Sequence, residues 1–158
     1  MIRVRFRRLP HAAGLPLPSG HSEQSAGLDL AAATPEGEPL TLAPGERVLI
    51  PTGFAMELPP GFEGQIRPRS GLALNHGVTV LNAPGTIDSD YRGEMKVLLI
   101  NHGAEPYPVT RGARIAQLVV SRFEPITPGE TDELSGTSRG DKGFGSTGLT
   151  SRADQGER

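Results

Sequence analysis

Asp88 and Asp90 stand beside Tyr91 in a turn-rich stretch, Asn82 to Gly93 (NAPGTIDSDYRG), between two apolar segments. A carboxylate in such a place can orient a water molecule and take its proton as it attacks phosphorus in line. A tyrosine ring alongside can pack flat on a sugar, and its bulk can exclude a 2′-hydroxyl. The same composition also describes an ordinary hairpin, because Asp and Gly are common turn formers. In Arg67 to Ala73 (RPRSGLA), Arg69 offers a planar fork to phosphate oxygens, and Ser70 and Gly71 open what reads as one helical turn near 70–75. Backbone N–H groups at such a start, with the hydroxyl and the guanidinium, make a clamp for a triphosphate. In isolation a capped turn with an exposed arginine is the plainer reading.

Three further segments carry polar groups in unusual settings. Asp29 follows Gly27 in SAGLDL (25–30), where it could hold a water of a hydrated magnesium ion, or be a simple strand-edge residue. Gln117 interrupts the apolar run RIAQLV (114–119), either facing solvent in an alternating pattern or aiming its amide at a ligand. In RGDKGFGSTG (139–148), four glycines surround Phe144, with Arg139 ahead of them. Glycines let backbone amides approach phosphates closely. A lone ring there has no core to join, but it could close over a flat base when a ligand arrives. A flexible linker is the alternative, and the spacing is not that of the P-loop ATPases.

The elements that must position these groups are strands. Ile2, Val4 and Phe6 alternate with arginines, the period of a half-buried strand. Glu46 to Leu58 reads as two strand pieces broken at Pro51 and Gly53. Phe62–Ile66, Val78–Leu81, Met95–Ile100 and Arg114–Phe123 are further candidates, and His11 to Ser25 is an extended connection. The 21 glycines and 15 prolines fall between apolar segments, which punctuates strands and implies an all-β barrel or jelly-roll-like domain. Only 4% of residues are aromatic, so the core is thin and a partner subunit could complete it. From Thr127 to Arg158 the only large apolar side chains are Leu134, Phe144 and Leu149. Such a tail cannot offset its own ordering entropy, so the expected division is a domain over 1–126 and a flexible arm over 127–158.

A net charge of −2 gives no general attraction to nucleic acid or an anionic membrane. The absence of cysteine removes disulfides and zinc–thiolate sites. No segment has the length of a membrane span or the apolar core of a signal peptide, so the expectation is a soluble cytoplasmic protein without nucleic-acid or membrane partners.

AGLDL (26–30), PRSGLA (68–73), NAPGTIDSDYRGE (82–94), RIAQL (114–118) and RGDKGFGSTG (139–148) resemble, in order and separation, the five motifs of the trimeric dUTPase family. The resemblance covers roughly residues 2–148. It implies a β-clip, jelly-roll-like fold assembled as a homotrimer, with active sites shared between subunits, and hydrolysis of dUTP to dUMP and pyrophosphate with Mg²⁺. By the same resemblance, Arg69, Ser70 and Gly71 bind phosphates, while Asn82 and the backbone around Thr86, Ile87 and Lys96 read uracil. Asp88 matches the residue that activates the attacking water and also holds the sugar, and Tyr91 matches the ring that rejects ribose. Asp29, acting through water, and Gln117 match groups that organise magnesium and the phosphates. Arg139 matches a γ-phosphate contact, and Phe144 with Gly145 matches the cover over uracil, donated by another subunit's arm. Lys142 departs from the pattern, standing where many members have glycine. A dCTP deaminase of the same fold superfamily is the nearest rival, and IDSDY and the Gly–Phe arm argue against it. A non-catalytic regulator binding a protein partner would be free to lose Asp88 or Phe144, and both are present. A generic β-barrel binding module explains none of the five segments together.

Overall fold

The computed structural model describes residues 2–143. Its strands are β1 (Arg5–Arg8), β2 (Gly27–Ala31), β3 (Leu40–Leu42), β4 (Arg47–Glu57), β5 (Phe62–Arg67), β6 (Val78–Val80), β7 (Gly85–Ile87), β8 (Glu94–Asn101), β9 (Tyr107–Val109) and β10 (Arg114–Arg122). A helix, α1 (Ser70–His76), joins β5 to β6. Alternation drives the arrangement. In β8, Met95, Val97, Leu99 and Asn101 are buried while Lys96, Leu98 and Ile100 take the other face.

Antiparallel pairing builds one sheet in the order β1-β4-β8-β6 and a second in the order β2-β10-β5-β7, with β3 and β9 as a separate pair. The two four-stranded sheets share one core. Leu30, Ile66, Ile87 and Leu118 of the second sheet join Ile50, Met56, Val97 and Leu99 of the first. This is the all-β, jelly-roll-like architecture that the alternation implies. Asn101, fully buried, donates to the carbonyls of Leu42 (2.9 Å) and Glu105 (2.8 Å) and accepts from the Gly103 N–H (2.8 Å), so its burial leaves no amide group unpaired.

Three expectations about local structure change. β1 begins at Arg5, so Ile2 and Val4 precede the strand rather than lie in it. Residues 47–57 form one continuous strand rather than two pieces. Its register against β8 shifts between Pro51 and Ala55, a bulge that absorbs both supposed breakers. The Pro51 carbonyl still accepts from the Ala33 N–H (2.8 Å), and the Thr52 hydroxyl donates to the Met95 carbonyl (2.6 Å). Gly53 takes φ +75°, and a Cβ there would run into the Ala12 methyl, so the bulge requires glycine. The helix after Arg69 extends over seven residues rather than one turn, because Leu72 reaches the core and holds it.

The chain divides into two units, Met1–Pro125 and the segment from Ile126 onward. In the second, no strand or helix forms among the described residues, and Thr137 to Lys142 make local turns: Gly140 N–H to the Thr137 carbonyl (3.2 Å) and Lys142 N–H to the Arg139 carbonyl (3.3 Å). No helix among the described residues is long and apolar enough to cross a membrane.

Candidate active site

Most of the first-unit residues singled out above gather into two hollows. The first has a volume of about 360 Å³ and lies where β7 and the turn after it face β8. Asn82, Thr86, Ile87, Asp88, Tyr91 and Lys96 all line it, together with Glu94, Met95 and Leu98. β7 aligns against β5 with Thr86 opposite Gln65, which buries Ile87 and sends Asp88 out at the strand's end. The Tyr91 N–H closes the turn on the Asp88 carbonyl (3.1 Å), and the Tyr91 hydroxyl donates to the Glu94 carbonyl (3.1 Å). The ring lies so close over Gly93 that a Cβ there would overlap it. Asp90, chemically equivalent to Asp88 in the sequence, does not line this hollow. It lines a different groove with Arg3, Arg5 and Arg92. Geometry thus separates the two carboxylates.

The second hollow, about 560 Å³, is polar and is lined by Asp29, Arg69, Ser70, Gly71, Arg114 and Gln117, with His21 and Ser25 at its edge. β10 lies between β2 and β5, which sets Gln117 opposite both Asp29 and Arg67. The Gln117 amide donates to the Pro68 carbonyl (2.9 Å), fixing the approach to α1. Asp29 holds two guanidiniums at once: Arg69 Nε at 3.1 Å from one oxygen and Arg114 Nη1 at 2.9 Å from the other. Arg69 also donates to the Arg114 carbonyl (3.1 Å). Two cations against one carboxylate leave a positive surplus suited to an anion, with the guanidinium planes held in fixed orientations. No group of three or more His, Asp or Glu gathers among the described residues to hold a metal ion by itself.

A model of one family, dUTPase, matches residues 13–148. The chain belongs to the dUTPase family. Among its curated relatives, the deoxyuridine 5'-triphosphate nucleotidohydrolase of Methylocella silvestris is 60% identical over 147 residues, covering 93% of this chain and 92% of the relative. The dUTPase of Staphylococcus bacteriophage 80alpha, solved with dUpNHpp, superposes with a TM-score of 0.81 at 23% identity over 93% of this chain and 99% of its own. A dUTPase from phage phi11 of S. aureus, described with a structural Mg(II) ion, gives a TM-score of 0.72 at 22% identity over 83% of this chain and 97% of its own. At those identities the phage structures establish the fold.

Of the dUTPase-family motifs, those around Asp29, Arg69 and Gln117 meet in the polar hollow, and the Asn82–Glu94 motif forms the other. Arg139 lies in the second unit, its guanidinium Nε donating to the Lys142 carbonyl (3.0 Å). Phe144 and Gly145 lie outside the described residues. Arg114 and Glu94 were not singled out by sequence reasoning. Both stand inside quoted motifs, but only strand pairing reveals that Arg114 meets Asp29, 85 positions away.

Proposed function

We propose that this chain hydrolyses dUTP to dUMP and pyrophosphate at a site completed between the subunits of a homotrimer, in the cytoplasm, lowering dUTP and supplying the precursor of dTMP. Family membership and near-full-length relatives at 60% identity support the reaction. The observation that carries the shared site is that the two hollows have no lining residue in common. One is suited to a nucleoside and holds Asp88; the other is suited to phosphates and holds Arg69. On the wall of the nucleoside hollow, Leu49 is 53% exposed and pairs across the sheet with Leu98, an apolar edge fit to meet another copy.

In this reading Asn82 and the backbone of Thr86, Ile87 and Lys96 bind the uracil edge, a wall too close for thymine's methyl group. Tyr91 packs on deoxyribose. Asp88 orients a water against the α-phosphorus and takes its proton, and pyrophosphate leaves. Arg69, Ser70, Gly71 and Gln117 hold the phosphates, with Asp29 fixing Arg69. The side chains of the polar hollow fit a magnesium ion carried mainly by phosphate oxygens, with Asp29 reached through water, since both its oxygens already serve arginines. Such an ion would neutralise charge on the triphosphate. The domain over 1–126 supplies both hollows, and the arm over 127–158 supplies Arg139 to the γ-phosphate and Phe144 with Gly145 over the base, closing late and excluding water.

Two measurements test this. Pyrophosphate release from dUTP, dTTP, dCTP and UTP, with and without magnesium, should be large for dUTP with magnesium alone; ammonia release from dCTP would point to the deaminase instead. Asp88→Asn and Arg69→Ala, each inactive alone, should recover about a quarter of the sites when mixed as subunits, because one interface in four then unites both intact residues. No recovery would place the whole site within one chain.

A further inference from the structure

We infer that Glu94 is a positioning residue for sugar selection, holding Tyr91 and the wall of the nucleoside hollow in place through its contacts with the β4 bulge. The inference rests on Tyr91 being the residue that rejects ribose. The bulge interrupts the ladder between β4 and β8 over Pro51 to Ala55, leaving the Gly53 N–H without a strand partner. The Glu94 side-chain Oε1 accepts that N–H at 2.8 Å. The same oxygen meets His11 Nε2 at 2.7 Å, so the turn Pro10–Ala12 is tied to the same point. The carboxylate is 14% exposed, which shields its contact with the Gly53 N–H, while the His11 side of the other contact is 44% exposed.

The main chain of the same residue faces the ligand side. The Glu94 carbonyl accepts the Tyr91 hydroxyl at 3.1 Å, and Glu94, Met95 and Lys96 together form one wall of the hollow. The Thr52 hydroxyl, next to Gly53, fixes the Met95 carbonyl in parallel. Side chain and carbonyl of one residue therefore join the bulge to the tyrosine. Without the carboxylate, the Gly53 N–H must find another partner, and the backbone carrying the Tyr91 acceptor is free to shift. A displaced ring would lose contact with deoxyribose and open room for a 2′-hydroxyl, whereas Asp88, on the other side of the turn, would keep its reaction.

The test compares Glu94→Ala, Glu94→Gln, His11→Ala and Tyr91→Ala for kcat and KM on dUTP and UTP, with thermal melting to verify folding. Glu94→Ala should lower the dUTP-to-UTP ratio of kcat/KM by about tenfold, chiefly through a higher KM for dUTP, as expected for a misplaced contact. Glu94→Gln should restore discrimination, because its amide oxygen, in the place of Oε1, can accept both the Gly53 N–H and an N–H from His11 Nε2. His11→Ala, which leaves the Gly53 contact intact, should change the ratio by less than about threefold. A folded Glu94→Ala that discriminates like the parent, while Tyr91→Ala does not, overturns the inference. Unaltered discrimination in Tyr91→Ala instead removes the sugar-selecting role of the tyrosine, a separate failure.

Discussion

Replacing Asp29 by asparagine removes one charge and almost no volume, and it sets two electrostatic effects against each other. An amide keeps one oxygen for one arginine but turns an NH₂ toward the other, where donor meets donor. The three side chains are 24%, 28% and 49% exposed, for Asp29, Arg69 and Arg114 respectively, so the loss in folding stability is held to about 1 kcal/mol by solvent screening. For substrate the balance differs. For a bound triphosphate taken to carry two uncompensated charges at roughly 6 Å, removing the anion would relieve about 0.7 kcal/mol of repulsion in near-aqueous dielectric at physiological salt. Against that, a guanidinium released from its partner no longer presents its fork, and a lost charge-assisted hydrogen bond costs about 2 kcal/mol. The second effect is larger. KM for dUTP should rise by about tenfold, the equivalent of 1.4 kcal/mol. Affinity for dUMP, which lacks the β- and γ-phosphates, should change by less than about twofold. Steady-state kinetics and calorimetric titration with dUMP measure both. A KM that stays level or falls would show that Asp29 acts only through its charge, and an equal loss for dUMP would show that it supports the nucleoside hollow.

Asp88→Asn should bind nucleotide normally while turnover falls by about 10³-fold, the usual scale for a lost general base; turnover at the parental level removes Asp88 from that role. A chain ending before Arg139 should keep its oligomeric mass in light scattering yet lose most dUTP hydrolysis, and a fully active truncate would refute the arm's part. Gly53→Ala should lower stability by about 2 kcal/mol in denaturant titration, from the positive φ together with the collision at Ala12, and a neutral result would mean that the bulge relaxes at no cost.

The membership of the two hollows was legible in the sequence only through the order of the motifs, since each segment alone also reads as an ordinary turn or strand, and the glycine-caged Phe144 lies outside the described residues. Apolar runs between turn residues likewise located β8 and β10, whose buried side chains belong to the core. The three-residue strands β3, β7 and β9 passed unseen, whereas the equally short β6 was found because its apolar stretch continues to Leu81. Pro51 and Gly53 misled as breakers because a bulge, stabilised by Thr52 and Glu94 from outside the local stretch, lets a strand continue through them.

By itself the sequence indicated the family and the reaction through the resemblance of its five ordered motifs, and the all-β class through apolar strand candidates punctuated by turn residues. Only the tertiary structure set Asp88 and Asp90 in separate grooves, brought Arg114 onto Asp29 and gathered the candidate residues into two separate hollows. Those outcomes depend on which strands pair and which face each side chain takes, and pairing across 85 positions leaves no local trace in the chain.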